Sequence, residues 1–450
     1  MSARKKIVIV GAGPAGIFAG LALKKTNAAA DLLILEKGED ITRRKREGGV
    51  MCGWGGAGAF SDGKLIISSE VGGFLSEFVA AVELDELLAA ADRTYLDFGV
   101  ADSLHGDMGE RARALSEEAK LAGLVFVPTR IRHIGTEHCP EVLRRMREAF
   151  EGSEVRTNCD VEAIVTEGGT EGGRVRGVRL AGGEEIAADF VIAAPGRSGA
   201  AWMRREAARI GLASHPNPVD IGVRVEVPAA VMRRLTDVAY EAKFIYYSRT
   251  FDDRVRTFCM NPYGEVVVES YGDIFTVNGH SYKGRQTENT NFAILVSSTF
   301  THPFNDPLGY GQYIARLANL LGDGAIVQRL GDLLSGHRTT PERLRRCLTR
   351  PTLAQAAPGD LSFVLPYRHL KDILEMLEAM DRLAPGIFSR HTLLYGVEVK
   401  FYSNRIKLTP KLESEVSGLF VAGDGAGVTR GLLQASASGI LVAREIAGRL

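Results

Sequence analysis

The stretch Lys5-Lys6-Ile7-Val8-Ile9-Val10-Gly11-Ala12-Gly13-Pro14-Ala15-Gly16 decides how this chain is read. An apolar run opens directly into Gly-x-Gly-x-x-Gly, and an Ala-rich apolar stretch continues to Leu23. This predicts a strand, a tight turn and a helix. In such a unit Gly11 makes the turn, Gly13 lets the backbone approach a pyrophosphate, and Gly16 lets the helix pack close to the strand, with Pro14 and Ala15 completing the loop. The helix N-terminus then offers free N–H groups and a partial positive charge to that pyrophosphate. A second strand, Leu32-Leu33-Ile34-Leu35, ends in Glu36, 20 residues past Gly16. A carboxylate at that spacing meets a ribose hydroxyl. The expectation is a dinucleotide site, with Lys37 at its margin.

The far end of the chain narrows the choice of dinucleotide. Gly418-Leu419-Phe420-Val421-Ala422-Gly423-Asp424-Gly425-Ala426-Gly427 reads as a strand ending in Gly-Asp. Arg430-Gly431-Leu432-Leu433-Gln434 and a small-residue helix to Ala447 follow it. A simple NAD dehydrogenase has no use for this second element. The pairing resembles flavoproteins of the glutathione-reductase-like superfamily. In them the Asp binds the ribityl or phosphate side, and the helix that follows points its N-terminus at the flavin O2 edge, where negative charge develops on reduction. The resemblance implies FAD, held by Gly423 and Asp424, with Gly431 and Leu432 at the start of the helix. The segment from Asp189 to Ser198 resembles the internal strand of that superfamily that ends in a small-residue turn, which places Ala194 and Gly196 near the cofactor. Arg197 is either a contact there or a solvated turn residue. Strands are expected at 155–157, 161–165 and 175–180, and the resemblance has the backbone near Val161 meeting the adenine.

Bulk properties exclude several classes. A chain of 450 residues suggests two domains. Formal net charge is zero, which implies no general attraction to nucleic acid or anionic membrane. The cysteines Cys52, Cys139, Cys159, Cys259 and Cys347 form no C-x-x-C pair and leave one over, which argues for a reducing compartment and against a disulfide frame or zinc site. The histidines lack metal spacing, so no metal is expected. The first strand begins within a few residues of Met1, so no signal peptide is expected, and no apolar run reaches the length of a membrane span. The expected location is cytoplasmic.

Along the chain, residues 5–36 form the first βαβ unit and 37–73 a Gly-rich loop. Helical spacing appears at 77–98, 110–121 and 140–150. From 216 the pattern changes to alternating strands at 220–227, 243–247, 255–260, 265–271 and 292–299, with helices near 310–322 and 370–384. The expected fold is α/β: a Rossmann-like FAD-binding domain (1–215 and 394–450) interrupted by a mostly antiparallel α+β substrate domain (216–393). No second Gly-x-Gly-x-x-Gly follows a strand, so NAD(P)H enters only as an external electron donor without a domain of its own.

One loop resembles a single family. Met51-Cys52-Gly53-Trp54-Gly55-Gly56-Ala57-Gly58-Ala59-Phe60-Ser61-Asp62-Gly63-Lys64-Leu65 is similar to the signature of the uncharacterised FAD-dependent dehydrogenases of bacteria and archaea. Further similar stretches are 132–136, 257–264, 277–279 and 396–398. The chain departs from that family at Thr429-Arg430, where small residues are usual, and in lacking a long N-terminal extension. In this family the FAD domain is interrupted by a substrate domain, as read above.

The loop also makes physical sense. Successive glycines bring backbone N–H groups within reach of phosphate or the flavin edge, which makes Gly55, Gly56, Ser61 and Asp62 cofactor candidates. Lys64 would place a cation near N1 or N5. Cys52 reads as a small buried hydrophobe rather than a redox thiol, and Trp54 as either a stacking ring or core. Relatives carry an Arg onto the pyrophosphate after the second strand; one of the run Arg43-Arg44-Lys45-Arg46 is the candidate, Arg44 among them, with Arg43 and Arg46 left open and the rest a solvated face. Arg132 and His133 are the anion-binding and acid–base candidates. Phe244, Tyr246, Tyr247, Phe258, Tyr263 and Tyr271 are either pocket lining or core.

The reading is an FAD-dependent oxidoreductase that passes a hydride or electron pair between a small organic substrate and the flavin N5. The alternatives are a flavin monooxygenase or an isoprenoid-type double-bond reductase. From another class comes an RNA-binding flavoprotein for base modification, which the neutral charge and the lack of a basic–aromatic stripe disfavour. The sequence names neither the substrate nor the oligomeric state.

Overall fold

The computed structural model describes residues 4–26, 30–45, 51–61, 63–106, 109–168, 172–271, 273–282, 285–304 and 306–450. The chain is α/β and divides into two compact units. The first comprises Met1–Leu104, Arg132–Asn217 and Tyr402–Leu450; the second comprises His105–Ile131 and Pro218–Phe401.

In the first unit the β-branched run Lys5–Val10 lies at the centre of a five-stranded parallel sheet. The strand order is Leu419–Val421, Phe190–Ala193, Lys5–Val10, Ala30–Leu35, Glu154–Arg156. Ile9 pairs with Ile34 on one side and Ile192 on the other. Burial on both faces explains why these strands read as continuous apolar runs rather than alternating ones. The helix Pro14–Lys25 starts with Pro at its first position and ends with Lys24 and Lys25, both suited to those termini. The helix Leu432–Ala447 packs along it. A three-stranded antiparallel sheet of Val161–Glu167, Arg174–Leu180 and Glu185–Ala187 completes the unit's main β structure.

The second unit is built on an eight-stranded sheet. Its order is Ala357–Pro358, Ile326–Arg329, Leu393–Lys400, Val219–Pro228, Asn289–Ser298, Arg254–Asn261, Lys243–Tyr247, Leu124–Val127. Every neighbouring pair is antiparallel except Ile326–Arg329 with Ala357–Pro358. Along Val219–Pro228 the odd positions Ile221, Val223, Val225 and Val227 enter the apolar core with the helix Tyr367–Asp381. The even positions Asp220, Arg224 and Glu226 face the opposite way and are also buried.

Two boundaries differ from the pattern-based reading. The strand Leu393–Lys400, expected to begin the return at 394, is a central strand of the second unit's sheet, so that unit runs to Phe401. Residues 105–131, expected in the first domain, join the second unit because Leu124–Val127 pairs with Lys243–Tyr247. The expected helix 77–98 splits into a 3-10 turn at Leu75–Glu77 and the helix Ala81–Asp97. Among the described residues of the Gly-rich stretch 37–73 lies one strand, Lys64–Ile67.

Candidate functional site

Gly11 holds φ at 101°, and its N–H bonds to the Leu35 carbonyl at 2.7 Å. A Cβ there would sit 2.3 Å from the Ala194 oxygen, so the turn is closed on one side by the strand end at Ala194. At Gly13 a Cβ would meet nothing within 4 Å. The chain thus leaves room at the one glycine of the motif that must face a ligand.

Two helix N-termini meet at this motif, and both are open, as is that of Ala200–Ile210 elsewhere in the unit. Gly13 caps Pro14–Lys25 and Gly431 caps Leu432–Ala447; neither start has a side-chain cap or an acidic residue in its first turn. The initial N–H groups of each helix are left for an anion or a polar ring edge. Gly423 carries φ 76°, donates its N–H to Ser438 at 3.1 Å, and a Cβ on it would lie 3.0 Å from that of Ala15. Strand end, first helix and last helix therefore converge on one cradle, which fits a dinucleotide carrying a second ring system.

Glu36 is buried and fully engaged on its protein side. Oε2 accepts from Ala12 N–H at 2.8 Å, and Oε1 accepts from Gly38 and Gly53 N–H, both at 2.9 Å. The Cys52 thiol reaches Oε1 as well, at 3.9 Å, a weak sulfur contact beside the three backbone ones. Asp424 accepts from Thr429 Oγ1 at 2.7 Å and from Arg197 Nε at 2.9 Å. Arg197, read as contact or solvated turn, is thus an ion-pair partner of the expected cofactor carboxylate. Thr429, the departure from the resembled family, has the same carboxylate as its partner.

The glycine loop lies over the motif. Gly55 donates to the Ala12 carbonyl at 2.7 Å, and a Cβ on Gly56 would lie 3.1 Å from the Cα of Gly13. Ser61 donates to the Gly58 carbonyl at 3.1 Å and accepts from Gly63 N–H at 3.2 Å, which shapes the turn from within. Pro14, Gly55, Gly58, Tyr95 and Leu432 line an apolar pocket beside the cradle. Asp62 lies outside the described residues, as does Arg46.

Several expected contacts have other partners. Arg44 is buried and donates Nη1 to the carbonyls of Trp54 at 2.8 Å and Gly56 at 2.7 Å, with its guanidinium 5.0 Å over the Phe60 ring. Its place is inside the glycine loop. Lys37 is exposed and lies 3.1 Å from Asp160. Trp54 is fully buried, donates to the Leu143 carbonyl at 3.0 Å and meets Phe150 edge-on, so it is core and not a stacking platform. Burial, and then the charge of Glu36, push the Cys52 thiol up, which suits a structural cysteine. All five cysteines are free.

The acid–base and anion candidates lie on the strand Arg130–His133. Arg132 is buried with bidentate bonds to Asp92 at 2.8 and 2.9 Å and a third bond to Asp102 at 3.0 Å. Two carboxylates neutralise it, so it is not the open cation an anionic substrate would need. Those partners lie 40 and 30 residues away, and no local signal announced them. His133 and Lys64 are buried, Lys64 at the start of Lys64–Ile67. Val161 opens its strand with its side chain in the core. Gly196 has φ 62°, and a Cβ on it would meet nothing within 4 Å. Phe244 and Tyr246 are core; the Tyr271 side chain lies outside what is described. Among the described residues no cluster of metal-ligating side chains occurs, and no helix is long and apolar enough to cross a membrane.

Comparison with known proteins adds the cofactor. Residues 218–401 match the family "FAD-dependent protein, C-terminal domain-like". An uncharacterised protein of Clostridium beijerinckii is 27% identical, over 98% of this chain and 80% of that one. Among solved structures, CtdE in complex with FAD is 14% identical, covering 99% of this chain and 84% of that one, with a TM-score of 0.37. A putative FAD-containing monooxygenase from Photorhabdus luminescens subsp. laumondii is 13% identical, covering 99% and 89%, with a TM-score of 0.45. Likenesses at that level bear on neither substrate nor reaction. The family match over the second unit and the dinucleotide cradle of the first agree on FAD as cofactor.

Proposed function

We propose that this protein transfers a hydride or electron pair between a small organic molecule and FAD N5, with the first unit as cofactor domain and the second as substrate domain. The observation that carries the reading is the convergence of two uncapped helix starts, at Gly13 and Gly431, with Glu36 and Asp424 in one unit. When bound, FAD supplies the two-electron acceptor and donor. The protein's own share is positioning. The first-turn N–H groups after Gly13 hold the pyrophosphate, with Pro14, Ala15 and Gly16 forming the wall behind it. Glu36 fixes the ribose, whose hydroxyl displaces the weak Cys52 thiol contact at Oε1. Asp424, oriented by Arg197 and Thr429, holds the ribityl side. The N–H groups after Gly431 favour negative charge at the ring edge, and Lys64 adds a cation. Arg44 keeps the glycine loop folded rather than touching the pyrophosphate.

Anaerobic stopped-flow mixing with NADH and NADPH tests this. The absence of a second dinucleotide motif leads us to expect slow flavin bleaching by either nucleotide. Fast reduction followed by oxygen-dependent hydroxylation of an added substrate would instead make the protein a monooxygenase. A purified protein without flavin, which also fails to take up FAD, would sink the reading.

A further inference from the structure

The second unit's sheet has one apolar face and one charged face. On the charged face the ionic groups are matched with one another almost completely. Arg224, fully buried, grips both oxygens of Glu398 at 2.7 and 2.8 Å, and Lys400 adds a contact to Glu398 at 3.0 Å. Arg256 pairs with Asp220, which also accepts from Ser297 at 2.5 Å. Glu226 is taken up by Thr352, Tyr395 and Asn289. Phe258 lies among these groups, with Arg256 at 5.0 Å and Lys400 at 5.5 Å from its ring centre.

Lys243 belongs to the same face. Ile245 pairs with Arg256, so Lys243, two residues back, and Phe258, two residues on, project to the same side. Lys243 is 9% exposed, yet its side chain makes no hydrogen bond and no ion pair among the described residues. Its flanking strand neighbour is Val127, an apolar side chain that offers no counter-charge. The ionic groups that act on it are Arg256, Glu241, Arg254 and Asp220. Of the two carboxylates, Asp220 is already held by Arg256 and Glu241 attracts the ammonium without an ion pair to it, while the two guanidiniums repel it.

A buried ammonium with no partner is costly, and a protein relieves it by losing the proton or by receiving an anion. We propose that the charged face of the second unit's sheet binds the substrate through an anionic group, a carboxylate or its equivalent, with Lys243 as the receiving cation beside the ring of Phe258. This rests on the oxidoreductase reading for the word substrate, but not for the anion site itself. Burial, reinforced by Arg256, lowers the Lys243 ammonium to about 7, so in the free protein the site is charged below neutrality and loses its charge above it. Anion affinity therefore falls as pH rises past that point, by about tenfold per unit.

Benzoate is the probe, with benzamide as the uncharged isostere. Both are titrated calorimetrically into the FAD-loaded protein, wild type and Lys243→Met, on either side of neutral pH. Benzoate is expected to bind more tightly than benzamide on the acid side, to lose at least tenfold in affinity on the alkaline side, and to lose at least tenfold in Lys243→Met. Equal benzoate affinity in wild type and Lys243→Met, equal affinity for the two probes, or no benzoate binding would overturn the proposal. Should Lys243→Met fold poorly, the wild-type pH dependence decides alone, and a flat profile counts against the site. FAD content is measured on the same samples. Protein that binds benzoate as expected but carries no flavin defeats the oxidoreductase reading and leaves the anion site standing.

Discussion

Glu36 gives one side chain two tasks. Backbone N–H groups at Ala12, Gly38 and Gly53 and, weakly, the Cys52 thiol tie the motif turn to the glycine loop through this carboxylate, which also meets the ribose in our reading. Glu36→Ala is expected to weaken FAD binding by about 1.5–3 kcal/mol, the range for hydrogen bonds to a charged group, which is roughly ten- to 150-fold in the dissociation constant. Fluorescence titration of FAD into stripped protein measures it, and an unchanged constant removes Glu36 as the ribose ligand. Arg132 teaches the reverse lesson. It has the side chain of an anion binder, yet Asp92 and Asp102 consume its donors. Side-chain type names a capability; the partners decide whether it is used.

At the scale of elements, the helices Pro14–Lys25 and Leu432–Ala447 approach closely enough that only glycine fits at their crossing. A Cβ on Gly439 would sit 2.1 Å from the Ala15 carbonyl oxygen, inside the first turn that faces the cofactor. Gly439→Ala is expected to destabilise the protein by about 1–3 kcal/mol, the usual range for overpacking, and to lower FAD affinity because the first helix must shift. A thermal melt with and without FAD checks both effects; an unchanged melt would mean that the crossing yields without strain. Elements of this cradle were legible in the sequence because each is local: an apolar run, a glycine spacing, a carboxylate at the end of the next strand. What was not legible is non-local. Leu124–Val127 finds its partner more than a hundred residues later, and Leu393–Lys400 sits mid-sheet between strands from distant segments. Arg44 sits close in sequence to the carbonyls it holds, but the fold of the glycine loop, not its spacing, turned it inward.

Across the whole molecule, stability should respond to pH through a pair on the helix Tyr367–Asp381. Burial, together with the nearby charge of Asp253, raises the Asp372 carboxyl from 3.8 to about 6. Burial lowers the His369 imidazole from 6.5 to about 4, with its Nε2 bonded to Ser298 at 2.9 Å. The folded Asp372 keeps a proton that the unfolded chain has released, so its contribution is full below pH about 4 and is lost as pH rises through about 6. His369 acts oppositely: the unfolded chain takes up a proton that the folded chain refuses, so stability is lost as pH falls from 6.5 towards about 4. The two slopes offset each other between those limits. Asp372→Asn is therefore expected to raise the melting temperature above neutral pH, by the equivalent of up to about 2 kcal/mol, and to change it little near pH 4. It should also expose the slope due to His369 in the interval between. Equal shifts at both pH values would show that Asp372 is not the titrating group.

The order in which the first unit's sheet is assembled carries one more consequence. Its strands Lys5–Val10 and Ala30–Leu35 leave the ribosome early, but Leu419–Val421 and the helix that follows arrive only after the entire second unit has been translated. Until then the strand Phe190–Ala193 has an open edge and the Pro14–Lys25 helix has a bare flank. In our reading the nascent chain therefore completes the strands of the pyrophosphate half of the cradle long before those of the ring half. Flavin is therefore expected to load late, and a chain truncated before Leu419 should emerge colourless even where its early strands have formed.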